Sequence, residues 1–104
     1  MKKIPSTYRP PNFFIKISQG EEFTISLDSI PSAGYTWNAQ YDDAVLELVK
    51  PKETARLTDA IGGGVEELFT FRAKNKGSTE ATMIYKRGWE KTPEKTMQFR
   101  IEVK

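Results

Sequence analysis

The feature that most constrains this chain is hydrophobic alternation with a period of two. In Glu21–Leu27, Phe23, Ile25 and Leu27 fall on one side and Glu22, Thr24 and Ser26 on the other. Met97, Phe99, Ile101 and Val103 alternate with Gln98, Arg100, Glu102 and Lys104. The same period sets Phe13, Ile15 and Ile17 on one face of Asn12–Ile17, and pairs Tyr35 with Trp37 in Tyr35–Ala39. It separates Phe69, Phe71 and Ala73 from Thr70 and Arg72 in Glu67–Ala73, and Ala81, Met83 and Tyr85 from Thr82, Ile84 and Lys86 in Thr79–Lys86. Ala44–Val49 is a shorter apolar run whose buried face alternation does not decide. Side chains in a strand point to opposite faces in turn, so these patterns predict strands with one face buried and one wet.

Turn clusters separate the strands: Ser18-Gln19-Gly20, Pro31–Gly34, Gly62–Gly64 and Asn75–Ser78. No segment carries a capped stripe of 3.6-residue period; Leu57–Ile61 has room for one helical turn before it meets three glycines. A length of 104 residues is one domain's worth. Seven short strands with regular turn punctuation predict an all-β fold, an immunoglobulin-like antiparallel β-sandwich of about seven strands. The chain has no cysteine, so no disulfide spans the sheets, and Trp37 is the candidate central aromatic. Residues 1–11, which bear three prolines, read as an N-terminal tail, and residues 12–104 as the sandwich domain.

Composition then narrows function. Cysteine and histidine are both absent. Thiol nucleophiles, Ser-His-Asp triads, histidine bases and the usual zinc sites are therefore excluded. Asp42-Asp43 and Glu66-Glu67 are adjacent pairs, which point to opposite faces of a strand and do not converge on one pocket as acid–base chemistry requires; they read as solvated charges. We expect no catalytic residues, no metal site, no cofactor and no enzyme. Sixteen Lys and Arg against fourteen Asp and Glu give a net charge of +2, with the signs interspersed. That balance argues against a nucleic-acid partner, and a stacking platform of Tyr85, Lys86, Arg87 and Trp89 has too few aromatics to reverse it. No apolar run approaches the roughly 18 residues of a membrane span. The basic start, MKKIP, leads into no apolar core, so it does not read as a signal peptide. The sequence does not fix the compartment: periplasmic or secreted where a leader has been removed, otherwise cytoplasmic. A binding module is the expectation.

Three loops carry more than turn chemistry demands. In Ser29–Trp37, Pro31 fixes φ and Gly34 permits positive φ, with small Ser32 and Ala33 between them. Such a loop is either an ordinary tight turn or a stiff tip able to enter a narrow cleft. Ile61–Val65 contains Gly62, Gly63 and Gly64. It lacks the Gly-Lys-Ser/Thr of a phosphate loop and continues into two carboxylates, which leaves a flexible connection or close approach to a partner's backbone. In Tyr85–Glu90, Trp89 lies past the alternating positions beside Gly88. It is either a cap on the core or, next to Arg87, an interface anchor.

Taken in order, these loops resemble the chagasin family, the immunoglobulin-like protein inhibitors of papain-type cysteine peptidases. The first family motif, Asn-Pro-Thr-Thr-Gly-aromatic-x-Trp, is matched at Pro31, Gly34, Tyr35 and Trp37, conservatively at Ser32, and not at Ile30 or Ala33. The second, Gly-x-Gly-Gly, is similar to Ile61–Gly64 without its leading glycine. The third, Arg-Pro-Trp/Phe, is Arg87-Gly88-Trp89, with glycine in place of proline. The resemblance spans residues 12–104. It implies reversible, non-covalent inhibition of a papain-like, cathepsin L-type cysteine peptidase by a monomer. Pro31, Ser32, Ala33 and Gly34 (with Tyr35 at their base) would block the nucleophile. Gly62, Gly63, Gly64 and Val65 would line the cleft, and Arg87, Gly88 and Trp89 would anchor beside it. The alternative is an immunoglobulin-like adhesion or protein-interaction module without peptidase inhibition.

Overall fold

The computed structural model describes residues 5–30, 33–56 and 64–104. Among the described residues the chain forms nine strands: β1 (Ser6–Tyr8), β2 (Phe14–Ile17), β3 (Glu22–Ser29), β4 (Tyr35–Gln40), β5 (Leu46–Leu48), β6 (Glu53–Arg56), β7 (Val65–Ala73), β8 (Gly77–Arg87) and β9 (Lys95–Val103). One sheet runs β1-β3-β7-β5, with β6 also paired to β7; the other runs β2-β9-β8-β4. The alternating residues meet between them. Ile15, Phe23, Ile25, Leu27, Trp37, Phe69, Phe71, Ala81, Met83, Phe99 and Ile101 are all buried there. Trp37 is the central aromatic, its ring tilted against Tyr85 at 4.6 Å, and Phe23 stacks on Phe71 at 5.5 Å. Burying each such side chain contributes about 1.5–3 kcal/mol, which is why the period-two pattern dictates a sandwich.

Pairing is antiparallel within the body of both sheets, but two edges are parallel: β1 runs beside β3 and β2 beside β9. Alternation says which side of a strand is buried and nothing about its neighbour or direction, so it could not reveal this. Two strands carry no alternation long enough to read. β1 has three residues between prolines, yet Ser6–Tyr8 of the Pro-bearing start pairs with Phe23–Ile25, and Tyr8 meets Phe23 edge-on at 6.4 Å. β6, with sequence Glu-Thr-Ala-Arg, has no large apolar residue and joins the start of β7 through backbone pairing. In β5, Leu46 is the residue that turns into the core, opposite Ala73.

Candidate functional site

Strand register brings the three singled-out loops to one end of the sandwich. Ser29, the last residue of β3, lies opposite Val65, the first of β7, and Arg56, the last of β6, also registers with Val65. In the other sheet Tyr35, the first residue of β4, lies opposite Arg87, the last of β8. Tyr85 registers with Lys95, where β9 begins. The connections 30–34, 57–64 and 88–94 therefore leave the sheets side by side, and rigid strands hold their stems. Pro31, Ser32, Gly62, Gly63 and the short helical turn considered at Leu57–Ile61 lie outside the described residues. Ala33, Gly34, Tyr35, Gly64, Val65, Arg87, Gly88 and Trp89 are brought together.

The first loop is braced from both sides. The Ile30 N–H donates to the Tyr85 hydroxyl at 3.0 Å, and the Ala33 N–H to the Ile30 carbonyl at 3.1 Å. Arg87 Nε donates to the Ala33 carbonyl at 3.1 Å while its guanidinium covers the Tyr35 ring at 4.6 Å and approaches Trp89 at 5.9 Å. Tyr35 in turn stacks on Tyr85 at 5.0 Å. A ladder of rings and one guanidinium thus climbs from buried Trp37 to the Ala33 carbonyl. Each aromatic or cation–π step is worth about 0.5–1.5 kcal/mol beyond area burial. Gly34 sits at φ +87°, the left-handed conformation that disfavours a side chain.

Of the two sequence readings of Trp89, burial decides for exposure: it is 74% exposed, and Ile30 of the first loop is 52% exposed. Between the loops opens a recess of about 370 Å³, bordered by Ile30, Ala33, Tyr35, Gly64, Tyr85 and Lys95. Exposed apolar side chains around a concave, hydrogen-bonded frame are the features of a protein-binding surface, since stable monomers cover such groups otherwise.

Just below the loops lies a polar cluster centred on Glu67 and Lys52, two residues outside the loop motifs. Glu67 is 3% exposed and not a solvated charge, which corrects the reading of the Glu66-Glu67 pair for that residue. Its Oε1 accepts from the Trp37 N–H at 3.1 Å, from the Thr36 hydroxyl at 3.2 Å and from Lys52 Nζ at 2.8 Å. Lys52 Nζ also donates to the Trp37 carbonyl at 3.2 Å. Burial pushes the Glu67 carboxyl up, but Lys52, the Ser29 hydroxyl, the Trp37 N–H and the lysine's charge outweigh it and hold the group below its ordinary value. The Ser29 hydroxyl also donates to the Tyr35 carbonyl at 3.4 Å. A signal for Glu67 was present in the sequence: it continues the phase of Phe69, Phe71 and Ala73, and so belongs to the inward face. Glu66 takes the outward phase and pairs with Arg9 at 3.3 Å. Tyr85 was legible as a core residue, but its hydroxyl contact to the first loop was not.

The sequence model of the Chagasin family peptidase inhibitor I42 matches residues 16–103. No curated protein matches the chain in sequence. Among solved structures, the cysteine protease inhibitor EhICP2 of Entamoeba histolytica is similar with a TM-score of 0.84 and 20% identity, covering 95% of each chain. Amebosin, solved in solution, is similar with a TM-score of 0.78 and 19% identity over 98% of this chain and 100% of its own. PbICP-C, solved in complex with falcipain-2, is similar with a TM-score of 0.66 and 16% identity over 95% of this chain and 99% of its own. At these identities the likeness establishes the shared fold.

Proposed function

The chain belongs to the chagasin family of peptidase inhibitors, and from that premise we propose that it reversibly and non-covalently inhibits papain-like cysteine peptidases by filling the active-site cleft with its three loops. It acts as an inhibitor and not as an enzyme. The observation that carries this reading is the convergence of the loop stems at one end, with Ala33 hydrogen-bonded to Arg87, Trp89 seated on Gly34, and both Trp89 and Ile30 exposed. The choice of cysteine peptidases is supported by the similar fold of EhICP2, a cysteine protease inhibitor, and of PbICP-C, which forms a complex with falcipain-2.

In this mechanism Pro31–Gly34 stands over the nucleophile, Gly62–Val65 follows the cleft and pairs with enzyme backbone, and Arg87, Gly88 and Trp89 anchor the far side. No chemistry is asked of the inhibitor. Because Tyr85 and Arg87 hold the first loop before any partner arrives, little ordering cost is left for association, and buried area converts efficiently into affinity. The target is a cathepsin L-type enzyme and the inhibitor acts as a monomer in a one-to-one complex. Titrating papain and cathepsin L-type peptidases with the purified chain, using a fluorogenic substrate, tests the reading. Progressive loss of activity with one-to-one stoichiometry is expected. Full activity of every such enzyme at about 10 μM inhibitor, far above the nanomolar range of standard-size interfaces, overturns it.

A further inference from the structure

On the reading that the loops inhibit a peptidase, we propose that Glu67 and Lys52 are positioning residues that lock the first loop to the glycine-rich loop across the two sheets. Glu67 lies two residues after Val65, where the glycine-rich loop ends, and opposite Thr54, two residues before that loop begins at the end of β6. It also lies opposite Leu27, two residues before the first loop leaves β3 at Ser29. Its hydrogen-bond partners Thr36 and Trp37 follow Tyr35, where the first loop re-enters the sheets. The stems of both loops therefore meet at one carboxylate.

This junction joins different sheets. Glu67 belongs to β7 of one sheet and Trp37 to β4, an edge strand of the other. Contacts between the sheets are mostly apolar; near the loops the Trp37 indole N–H also donates to the Asp28 carbonyl at 2.9 Å, the Ser29 hydroxyl to the Tyr35 carbonyl and the Ile30 N–H to the Tyr85 hydroxyl. Apolar burial is non-directional. It resists separation of the layers far more than a small slide of one over the other. Hydrogen bonds are directional. The Glu67 carboxylate receives the Trp37 N–H while Lys52 donates to the Trp37 carbonyl, so one ion pair holds both backbone groups of a single β4 residue. A slide would break both bonds and strand a buried charge. Capping the edge of β4 alone would need neither the Thr36 bond nor an ion pair; a water or a single polar group would serve. With the cluster intact, the stems of the first loop and of the glycine-rich loop keep a fixed separation, as simultaneous entry into one rigid cleft demands.

The test uses the full chain with Glu67→Leu, Glu67→Gln and Lys52→Met. Inhibition constants against papain are measured beside thermal melts and backbone amide NMR spectra. Glu67→Leu is expected to raise the inhibition constant about tenfold or more, equivalent to about 1.4 kcal/mol. The amide signals of Ala33, Gly34 and Gly64 should move, although Glu67 bonds to none of them. Glu67→Gln, which retains an acceptor for the Trp37 N–H, should recover most of the inhibition at a similar melting temperature to Glu67→Leu. A folded Glu67→Leu chain with wild-type inhibition and unmoved loop amides overturns the positioning role while leaving the inhibitor reading intact. Where Glu67→Leu does not fold, Lys52→Met decides, because the Lys52 side chain is partly exposed: a several-fold weaker inhibitor supports the role and an unchanged one overturns it. A wild-type chain that inhibits no papain-like enzyme removes the inhibitor reading, and this role with it.

Discussion

The ring of Trp89 rests on Gly34, so closely that a Cβ atom at Gly34 would stand 3.0 Å from Trp89 Cη2. The third loop is thereby seated on the first, and the contact needs a residue with no side chain. Gly34 meets a second demand at the same time, a φ of +87°. Space and backbone conformation both select glycine there.

Gly34 and Gly88 make opposite predictions for substitution by alanine. Gly34→Ala forces the Trp89 ring to move and strains the backbone, and we expect roughly 1–3 kcal/mol of destabilisation with weakened inhibition. At Gly88 a Cβ would meet nothing within 4 Å, and φ is not positive. Gly88→Ala should raise stability by about 0.4–1 kcal/mol by restricting the unfolded chain. Denaturant melts of the two variants check the signs; a destabilised Gly88→Ala chain contradicts the open geometry.

Trp89→Ala should separate binding from folding. A residue that is 74% exposed contributes little to the core. We expect the melting curve to shift by no more than about 0.5 kcal/mol. Inhibition should weaken by roughly 1–3 kcal/mol, as for an interface anchor. Fluorogenic titration and thermal melts on one preparation measure both.

Tyr85→Phe removes a single oxygen, the acceptor for the Ile30 N–H at 3.0 Å, while leaving the ring contacts with Tyr35 and Trp37. A stability loss of about 0.5–1.5 kcal/mol is expected. Inhibition should weaken in step, because the freed bond lies at the start of the first loop. Unchanged inhibition would mean that the Arg87–Ala33 contact holds the loop unaided.

Acid stability should follow Glu67. Its folded-state pKa is lowered, so the cluster stabilises the fold above the unfolded pKa of an ordinary glutamate, about 4.3. That contribution is lost as pH falls through the lowered folded value. The wild type should therefore hold its stability near neutrality and lose part of it below about pH 4. Glu67→Gln should be less stable at neutral pH and show a flatter acid limb. Melting temperatures from pH 7 to pH 2.5 test this, and parallel curves would count against it.

Some of this was legible in the residues and some was not. The alternation of Phe23, Ile25 and Leu27 with polar residues sufficed for β3, because the signal lies within one strand. The same phase, carried back from Phe69 and Phe71, reaches Glu67, so its inward position was readable even though its partners were not. β6 carries no apolar residue of weight, and its place comes from backbone pairing to β7. Trp89 admitted two readings because an aromatic beyond the last strand position can fold inward or stay out; its seat on Gly34 depends on residues 55 positions apart.

What the sequence determined by itself is the list of parts: an all-β chain with one buried face per strand, no thiol or imidazole for catalysis, and three loops with unusual small or aromatic residues. These are local properties, set by side-chain period, backbone freedom and residue chemistry. Only the tertiary structure decided that the parts form one surface. Register between Ser29 and Val65, and between Tyr35 and Arg87, brings the loops to the same end. The Glu67–Lys52 pair bridges the sheets beneath them. Such relationships come from which strands pair and how the layers pack, and long-range pairing leaves no period in a chain to be read.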